Sequence, residues 1–164
     1  MALSTTQSIW RSGGGDNTRT AYCGSGVMVA EFFFSAAQTS GNAKVSSAAN
    51  AANLILPAGA VILQIFANAA GTGGTNPTFD MGFTTYTSGT ASPQALLNES
   101  DADAGKQVFN WASATAGTSL TAVMSATDLV YITGRAGASA ATGGNISGEI
   151  LYYVVDPLLG QQNV

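Results

Sequence analysis

The feature that most constrains the fold is the distribution of the large apolar residues, which fall in short runs separated by small and polar residues. In residues 78–83, Phe79, Met81 and Phe83 alternate with polar or small neighbours, which is the pattern of a half-buried strand. Comparable runs occupy 27–34, 53–56, 60–67, 108–111, 120–124, 129–133 and 146–155. No segment carries the helical periodicity over roughly 10–15 residues that an α/β fold needs between its strands. The sequence therefore predicts an all-β protein, an antiparallel β-sandwich or jelly roll of about eight strands.

The runs also predict which side chains face the core. The apolar residues of 27–34 fall on both alternating faces, so this strand is expected to be covered on both sides. In 60–67 strict alternation is expected, with Ile65 on the same face as Val61 and on the opposite face to Ile62.

Other segments are assigned from their composition and flanking residues. Residues 44–47 are expected to form a short strand, 94–99 a short helical turn, and 137–144 a hairpin loop between the last two strands. Trp111 is the last residue of the strand-like run 108–111 and is expected in the core, where most aromatic side chains of a small β-domain lie. Asp80 is expected to face solvent or to bond to a loop backbone.

The composition restricts the chemistry that this chain can perform. Ala, Gly, Ser and Thr make up half of the 164 residues, 9% are charged, and the net charge is −4. The chain has no histidine and one cysteine, Cys23. An intrachain disulfide, a zinc site of His and Cys ligands and catalysis by an imidazole base are therefore excluded. The five basic residues are scattered, which argues against a nucleic-acid partner and against binding to an anionic membrane.

Both ends of the chain are expected to lie outside a sandwich domain at 27–156. Residues 1–26 are polar and glycine-rich and are interpreted as an N-terminal arm, and 157–164 as a C-terminal tail. No apolar stretch reaches the roughly 20 residues of a membrane span, and the first residues lack the pattern of a secretory signal. The predicted partner-binding residues lie in the arm and the tail: Ile9, Trp10, Arg11, Leu158 and Leu159.

Alternating acidic residues form the best candidate for a metal site. Glu99, Asp101 and Asp103 are spaced like the start of a calcium-binding loop, but the positions that an EF-hand fills with Gly and Glu hold Ala104 and Asn110. The main interpretation is therefore a solvated loop, with a cation site as the alternative. The glycine-rich runs lack the Lys-Ser or Lys-Thr pair of a phosphate-binding loop. No catalytic residue and no cofactor is predicted.

Three segments of the chain resemble a known family. Residues 54–62, which contain the turn Pro57-Ala58-Gly59, residues 77–82 and residues 148–154 are similar to segments of the small β-sandwich virion proteins of tailed bacteriophages. The resemblance covers 50–155 and leaves out the arm and the tail. It implies a structural protein that decorates or cements a capsid, or forms a head fibre or another appendage, and that has no catalytic residues.

The function expected from these observations is that of a capsid decoration or cement protein, which binds the phage head and stabilises it. Its partners would be the major capsid protein or other virion proteins, at the surface of the capsid. A homo-oligomer is expected, and a trimer would suit a capsid lattice. The alternative is a carbohydrate-binding module of a fibre or spike, with Tyr86, Tyr131 or Tyr152 as aromatic platforms. An enzyme, which would need a cleft with two carboxylates, is not expected.

Overall fold

The computed structural model describes residues 27–40, 43–47, 53–89 and 91–155, and these contain eight β-strands and no helix. The predicted arm at 1–26 and the predicted tail at 157–164 lie outside the described residues. The strands are β1 Met28–Ser35, β2 Ile55–Leu56, β3 Ala60–Ala70, β4 Thr78–Thr85, β5 Ala91–Asp101, β6 Lys106–Phe109, β7 Val130–Ala136 and β8 Asn145–Val154. The described part of the chain thus holds no helix of the length and hydropathy needed to cross a membrane.

The strands form two antiparallel sheets of four strands each, packed face to face. One sheet, which we call the front sheet, has the order β1-β8-β3-β6, and the other, the back sheet, has the order β2-β7-β4-β5. All neighbouring strands pair antiparallel. The structure therefore confirms the predicted all-β class and the predicted antiparallel sandwich.

The core lies between the two sheets and is built from large apolar side chains on their inward faces. Its fully buried members include Phe32, Ile65 and Ile150 from the front sheet and Phe79, Met81 and Ile132 from the back sheet. Burying one such side chain stabilises a fold by about 1.5–3 kcal/mol. The sheets also meet through Phe34 and Phe79, whose ring centroids lie 6.2 Å apart. Gly134 makes room for this contact, since a Cβ there would lie 2.7 Å from the ring of Phe34.

On each side of the sandwich an irregular segment forms hydrogen bonds to both sheets. On one side, Val45 N–H donates to Ile132 of β7, and Phe33 of β1 donates to Ser46, over 2.9 and 2.8 Å. The predicted short strand at 44–47 is present here as isolated bridges to β1 and β7. These contacts provide hydrogen-bond partners for backbone groups that would otherwise be unpaired at the margins of the sheets.

The segment 113–124 bridges the opposite side of the sandwich. Gly117 N–H donates to Leu96 of β5 over 2.8 Å, and Thr121 N–H donates to Ile62 of β3 over 2.9 Å. The strand predicted at 120–124 is wrong, because residues 120–124 contain turns and a single β-bridge, between Val123 and Val61.

The predicted helical turn at 94–99 is also wrong, because these residues belong to β5. Their alternation is broken by a large irregular bulge, in which residues 93–96 of β5 lie opposite the single residue Gly82 of β4. The bulge buries Leu96 and Leu97 together, and two consecutive buried leucines resemble a helical pattern. Glycine is required at 82, since an added Cβ would lie 1.9 Å from the backbone oxygen of Ser92.

Two predictions of strand faces need correction. A register shift between Ile62 and Gln64 changes the phase of β3, so Ile62 and Ile65 both belong to the core, whereas alternation placed them on opposite faces. β1 is buried on the face of Phe32 and Phe34 alone, and Val29 on its other face is 58% exposed. The reason is that the back sheet covers only one face of the front sheet, to which β1 belongs.

The last two predictions of local structure concern 137–144 and Trp111. The loop at 137–144 does not close a hairpin, because it leads from β7 in the back sheet to β8 in the front sheet, where β8 pairs with β1 and β3. Trp111 is 75% exposed and lies outside the core. Phe109 at the end of β6 fills the core position instead and packs edge-on against Phe79, with centroids 6.1 Å apart.

Candidate interaction surface

The outward side of the front sheet is a broad surface of apolar side chains around two acidic ones. Strand register sets a straight row across all four strands, since Glu31 of β1 lies opposite Glu149 of β8, Glu149 opposite Phe66 of β3, and Phe66 opposite Val108 of β6. A second row places Val29 opposite Leu151. We call these six residues the front face. Val29 is 58% and Val108 is 52% exposed, although large apolar side chains are normally buried.

Glu31 and Glu149 are a like-charged pair in direct cross-strand register. Side chains in this arrangement have Cβ atoms roughly 4.5–5.5 Å apart, and like charges there are destabilising. Both glutamates are exposed, and within the described residues neither forms an ion pair. Lys106 lies on the same side of the sheet, but β3 separates its strand from β8, and its register partner is Asn68. The two carboxylates therefore lie side by side without an ion-pair partner within the described part of the chain.

The front face is indented beside Glu149. A depression of about 330 Å³ lies where β8, β3 and β6 run side by side, with Phe66, Val108, Lys106 and Glu149 among its lining residues. Its walls combine two apolar side chains with one group of each charge. A surface of this form can accept a protruding side chain of another protein.

A second exposed patch, on the back sheet, consists of aromatic side chains. The rings of Tyr86 and Tyr131 stack with their centroids 5.3 Å apart and an angle of 26° between the planes, and Lys44 Nζ lies 3.7 Å from the centroid of Tyr131. Tyr86 is 54% exposed. Of the three tyrosines predicted as platforms, the structure thus brings two together. Tyr152 lies apart from them, in β8, where it is half-buried and packs against the core.

The loop that carries Tyr86 is fixed by a carboxylate. Asp128 accepts hydrogen bonds from the backbone N–H and from Oγ1 of Thr87, over 2.8 and 3.0 Å. The hydrogen bond from the Thr87 backbone is the main cause that lowers the pKa of the Asp128 carboxyl below its ordinary value. This carboxylate therefore stabilises the loop in its ionised form.

The acidic residues singled out in the sequence hold separate loops. Glu99 accepts hydrogen bonds from the backbone N–H of Ala138 over 2.8 and 2.9 Å and from Thr78 Oγ1 over 2.5 Å. Asp101 accepts a hydrogen bond from the backbone N–H of Asp103 over 2.7 Å. The described residues contain no group of three or more Cys, Asp or Glu side chains that could hold a metal ion. The predicted solvated loop is wrong for Glu99 and Asp101, which belong to β5, and only 102–105 form a turn. Within the described residues the three carboxylates are not brought together around a common site.

Asp80 is fully buried and organises the back sheet. Its Oδ2 accepts hydrogen bonds from Arg135 Nε and Gln94 Nε2 over 2.9 and 3.0 Å and lies 2.8 Å from Arg135 Nη2. Its Oδ1 accepts a hydrogen bond from Glu99 N–H over 2.8 Å. Of the two expectations for Asp80, solvent exposure is wrong, and the carboxylate does bond to backbone, but to that of strand β5 and not to that of a loop. The carboxylate holds the bulged strand β5 against β4 and β7.

The predicted partner-binding residues Ile9, Trp10, Arg11, Leu158 and Leu159 lie outside the described residues. Sequence reasoning did not single out the pair Glu31 and Glu149. The available signal was a single acidic residue within a strand that has no other charged residue, which occurs in both β1 and β8.

No protein-family model matches the chain, and no curated protein matches it. Among solved structures, a chain of the capsid asymmetric unit of cyanophage Pam1 is similar, with 19% identity and a TM-score of 0.45 over 80% of this chain and 87% of that chain. A chain of the capsid of Ralstonia phage GP4 is similar with 17% identity and a TM-score of 0.48, over 92% of this chain and 94% of that chain. Both are structures of phage capsids.

Proposed function

We propose that this protein is a structural protein of a phage virion, and specifically a decoration or cement protein that binds the head shell and stabilises it. The observation that carries the proposal is the front face, where Val29 and Val108 are largely exposed beside an acidic pair without ionic partners in the described residues. Exposed apolar patches on a folded domain mark surfaces that other proteins cover. A protein that works by packing against other proteins needs such a surface and needs no catalytic group.

The segments that carry the resemblance to virion proteins occupy positions that define the sandwich. The Pro57–Gly59 turn connects β2 of the back sheet to β3 of the front sheet, and Gly59 has a φ of 80°, which favours glycine. In the segment 78–82, Asp80 accepts a hydrogen bond from the backbone of β5, and Gly82 leaves the space that the bulge of β5 occupies. These residues have structural roles, which supports a shared architecture for a protein without an active site.

The arm and the tail are proposed to add to the contact with the shell. Met28 at the start of β1 lies opposite Tyr152 near the end of β8, so residues 27 and 155, the described residues nearest the arm and the tail, lie at the same end of the front sheet. The predicted contact residues Ile9, Trp10, Arg11, Leu158 and Leu159 would then engage neighbouring virion proteins from one place. A trimer is the proposed oligomer, because three copies can close around a lattice symmetry axis.

The proposal is tested by locating the chain on phage particles with electron cryo-microscopy. We expect density for the sandwich on the outside of the head at a regular copy number. Particles without the protein are expected to break open at a lower temperature, and adding the protein back should restore their stability. Deletion of residues 1–15 is expected to reduce occupancy. Density at the tail alone, or full occupancy after the deletion, would contradict the decoration role or the role of the arm, respectively.

A second candidate function, glycan binding, is favoured by the stacked pair Tyr86 and Tyr131. Sugar rings pack on exposed aromatic faces, and Tyr86 presents one, while Lys44 supplies a nearby hydrogen-bond donor. Binding on a glycan array that is lost in Tyr86→Ala and kept in Trp111→Ala would support this function. An even response across all glycans would rule it out.

A further inference from the structure

We infer that the front face is the surface that contacts the shell, and that its partner presents one basic side chain, surrounded by apolar ones, over Glu31 and Glu149. This inference rests on the proposed function and specifies the chemistry of the contact. It concerns the sandwich and not the arm or the tail.

Charge complementarity is the main argument for the basic group. Glu31 and Glu149 are held in direct register by the β1–β8 ladder, so a guanidinium or ammonium group placed between them interacts with both carboxylates at once. Desolvation at an interface strengthens such an ionic contact relative to the free protein. The same group removes the repulsion that the pair carries alone. The free protein therefore holds an arrangement that a basic group from a partner would stabilise.

The apolar neighbours determine the rest of the contact. Val29 and Leu151 lie along one side of the acidic pair, and Phe66 and Val108 continue its row across the sheet. An interface of this kind has its charged group enclosed by apolar contacts that exclude water. The depression beside Glu149 offers a place for one protruding side chain of the partner.

A second copy of this chain fits the front face less well than a shell protein. If the front faces of two copies came together, the acidic pair of one copy would face the acidic pair of the other, and the like charges would repel. Of the three basic residues in the described part of the chain, Arg135 is paired with Asp80 and Lys44 lies on the ring of Tyr131. The third, Lys106, lies at the margin of the same face. The described part of the chain thus supplies no basic group at the centre of the front face for a contact between copies.

The test compares the binding of full-length variants to phage particles that lack this protein. The double variant Glu31→Gln with Glu149→Gln keeps the shape of both side chains and removes both charges, and its matched control is Asp101→Asn with Asp103→Asn, which removes two exposed charges away from the face. We expect the dissociation constant of the glutamine variant to be higher than that of the wild type by a factor of roughly ten or more. Its binding should also depend less on the salt concentration. The control is expected to bind like the wild type. Val108→Ser should weaken binding, whereas Val123→Ser, on the 113–124 segment, should not.

The outcomes separate this inference from the proposed function. Wild-type protein that does not bind particles would overturn the proposed function and this inference with it. Wild-type binding that the glutamine variant retains in full would overturn the inference alone. A change of oligomeric state in the glutamine variant, measured by sedimentation without any change in particle binding, would identify a second copy as the occupant and would likewise overturn it. Thermal unfolding of each variant verifies that the fold is kept, since exposed Glu→Gln changes leave the core intact.

Discussion

Replacing Asp80 by asparagine tests whether the buried carboxylate organises the back sheet. An asparagine has the shape of aspartate and can still accept the hydrogen bond from Glu99 N–H with its oxygen. Its amide nitrogen then faces the donors of Arg135 and Gln94, which lie 2.8–3.0 Å from Oδ2 in the wild type. The change therefore removes the ionic partner of Arg135. It also leaves the N–H groups of Arg135 and Gln94 facing another hydrogen-bond donor, the asparagine amide.

The expected loss of stability follows from the burial of this pair. Removing one partner of a buried ion pair costs roughly 3–5 kcal/mol. The side chain of Arg135 keeps 26% of its surface exposed while that of Asp80 keeps none, so partial hydration of the guanidinium reduces the cost toward the lower limit. We expect a loss of about 3 kcal/mol, which corresponds to a decrease in Tm of roughly 6–12 °C for a chain of this length.

The assay is urea unfolding of the wild type, Asp80→Asn, Arg135→Met and the double variant, followed by circular dichroism. The double-mutant cycle isolates the interaction between the two residues, and Asp80→Asn should cost clearly less in the Arg135→Met background than in the wild type. A loss below about 1 kcal/mol for Asp80→Asn, or full additivity in the cycle, would refute the role given to this carboxylate.

Three further predictions concern single positions. Gly82→Ala should destabilise the protein by about 1–3 kcal/mol, because the new Cβ collides with the backbone of β5. Gly143→Ala, with no atom within 4 Å of its added Cβ, should be close to neutral. Thermal unfolding of both variants checks this difference. Glu31→Gln should raise the free energy of unfolding by about 0.2–1 kcal/mol at low salt, and the gain should vanish at high salt as screening removes the like-charge repulsion. The stability that Asp128 provides is present above its ordinary pKa of 3.8 and is lost as the pH falls through its lowered folded value, so the difference in Tm between wild type and Asp128→Asn should shrink in acid.

The strands that the sequence predicts correctly are those whose pattern is local. Phe79, Met81 and Phe83 alternate without interruption, and β4 has all three side chains in the core. The predicted half-burial of this strand is wrong, however, because its other face, which carries Asp80, is buried as well. The bulge of β5 depends on a glycine in the neighbouring strand, so nothing within 94–99 itself indicates it. Trp111 shows the same limit, since the exposure of a side chain just beyond a strand depends on which residue fills the core before it.

The candidate site was less predictable than the fold for a related reason. Glu31 and Glu149 become a pair only through the register between β1 and β8, strands near opposite ends of the described chain. A hydrophobic pattern indicates which residues face outward on one strand, but it does not fix the alignment of two distant strands. The tyrosine patch is intermediate, because Tyr86 and Tyr131 could be named as exposed aromatics while their stacking could not.

The irregular segments on the two sides of the sandwich determine how binding in this protein can change. Because 43–46 and 113–124 occupy backbone groups at the sheet margins, a strand from another molecule cannot add to the sheet along those stretches. Association through the sheets then depends on the side chains of their outer faces. Substitutions on these outer faces leave the hydrogen bonds between strands unchanged. The affinity for a partner can therefore be adjusted one residue at a time without any change of the fold.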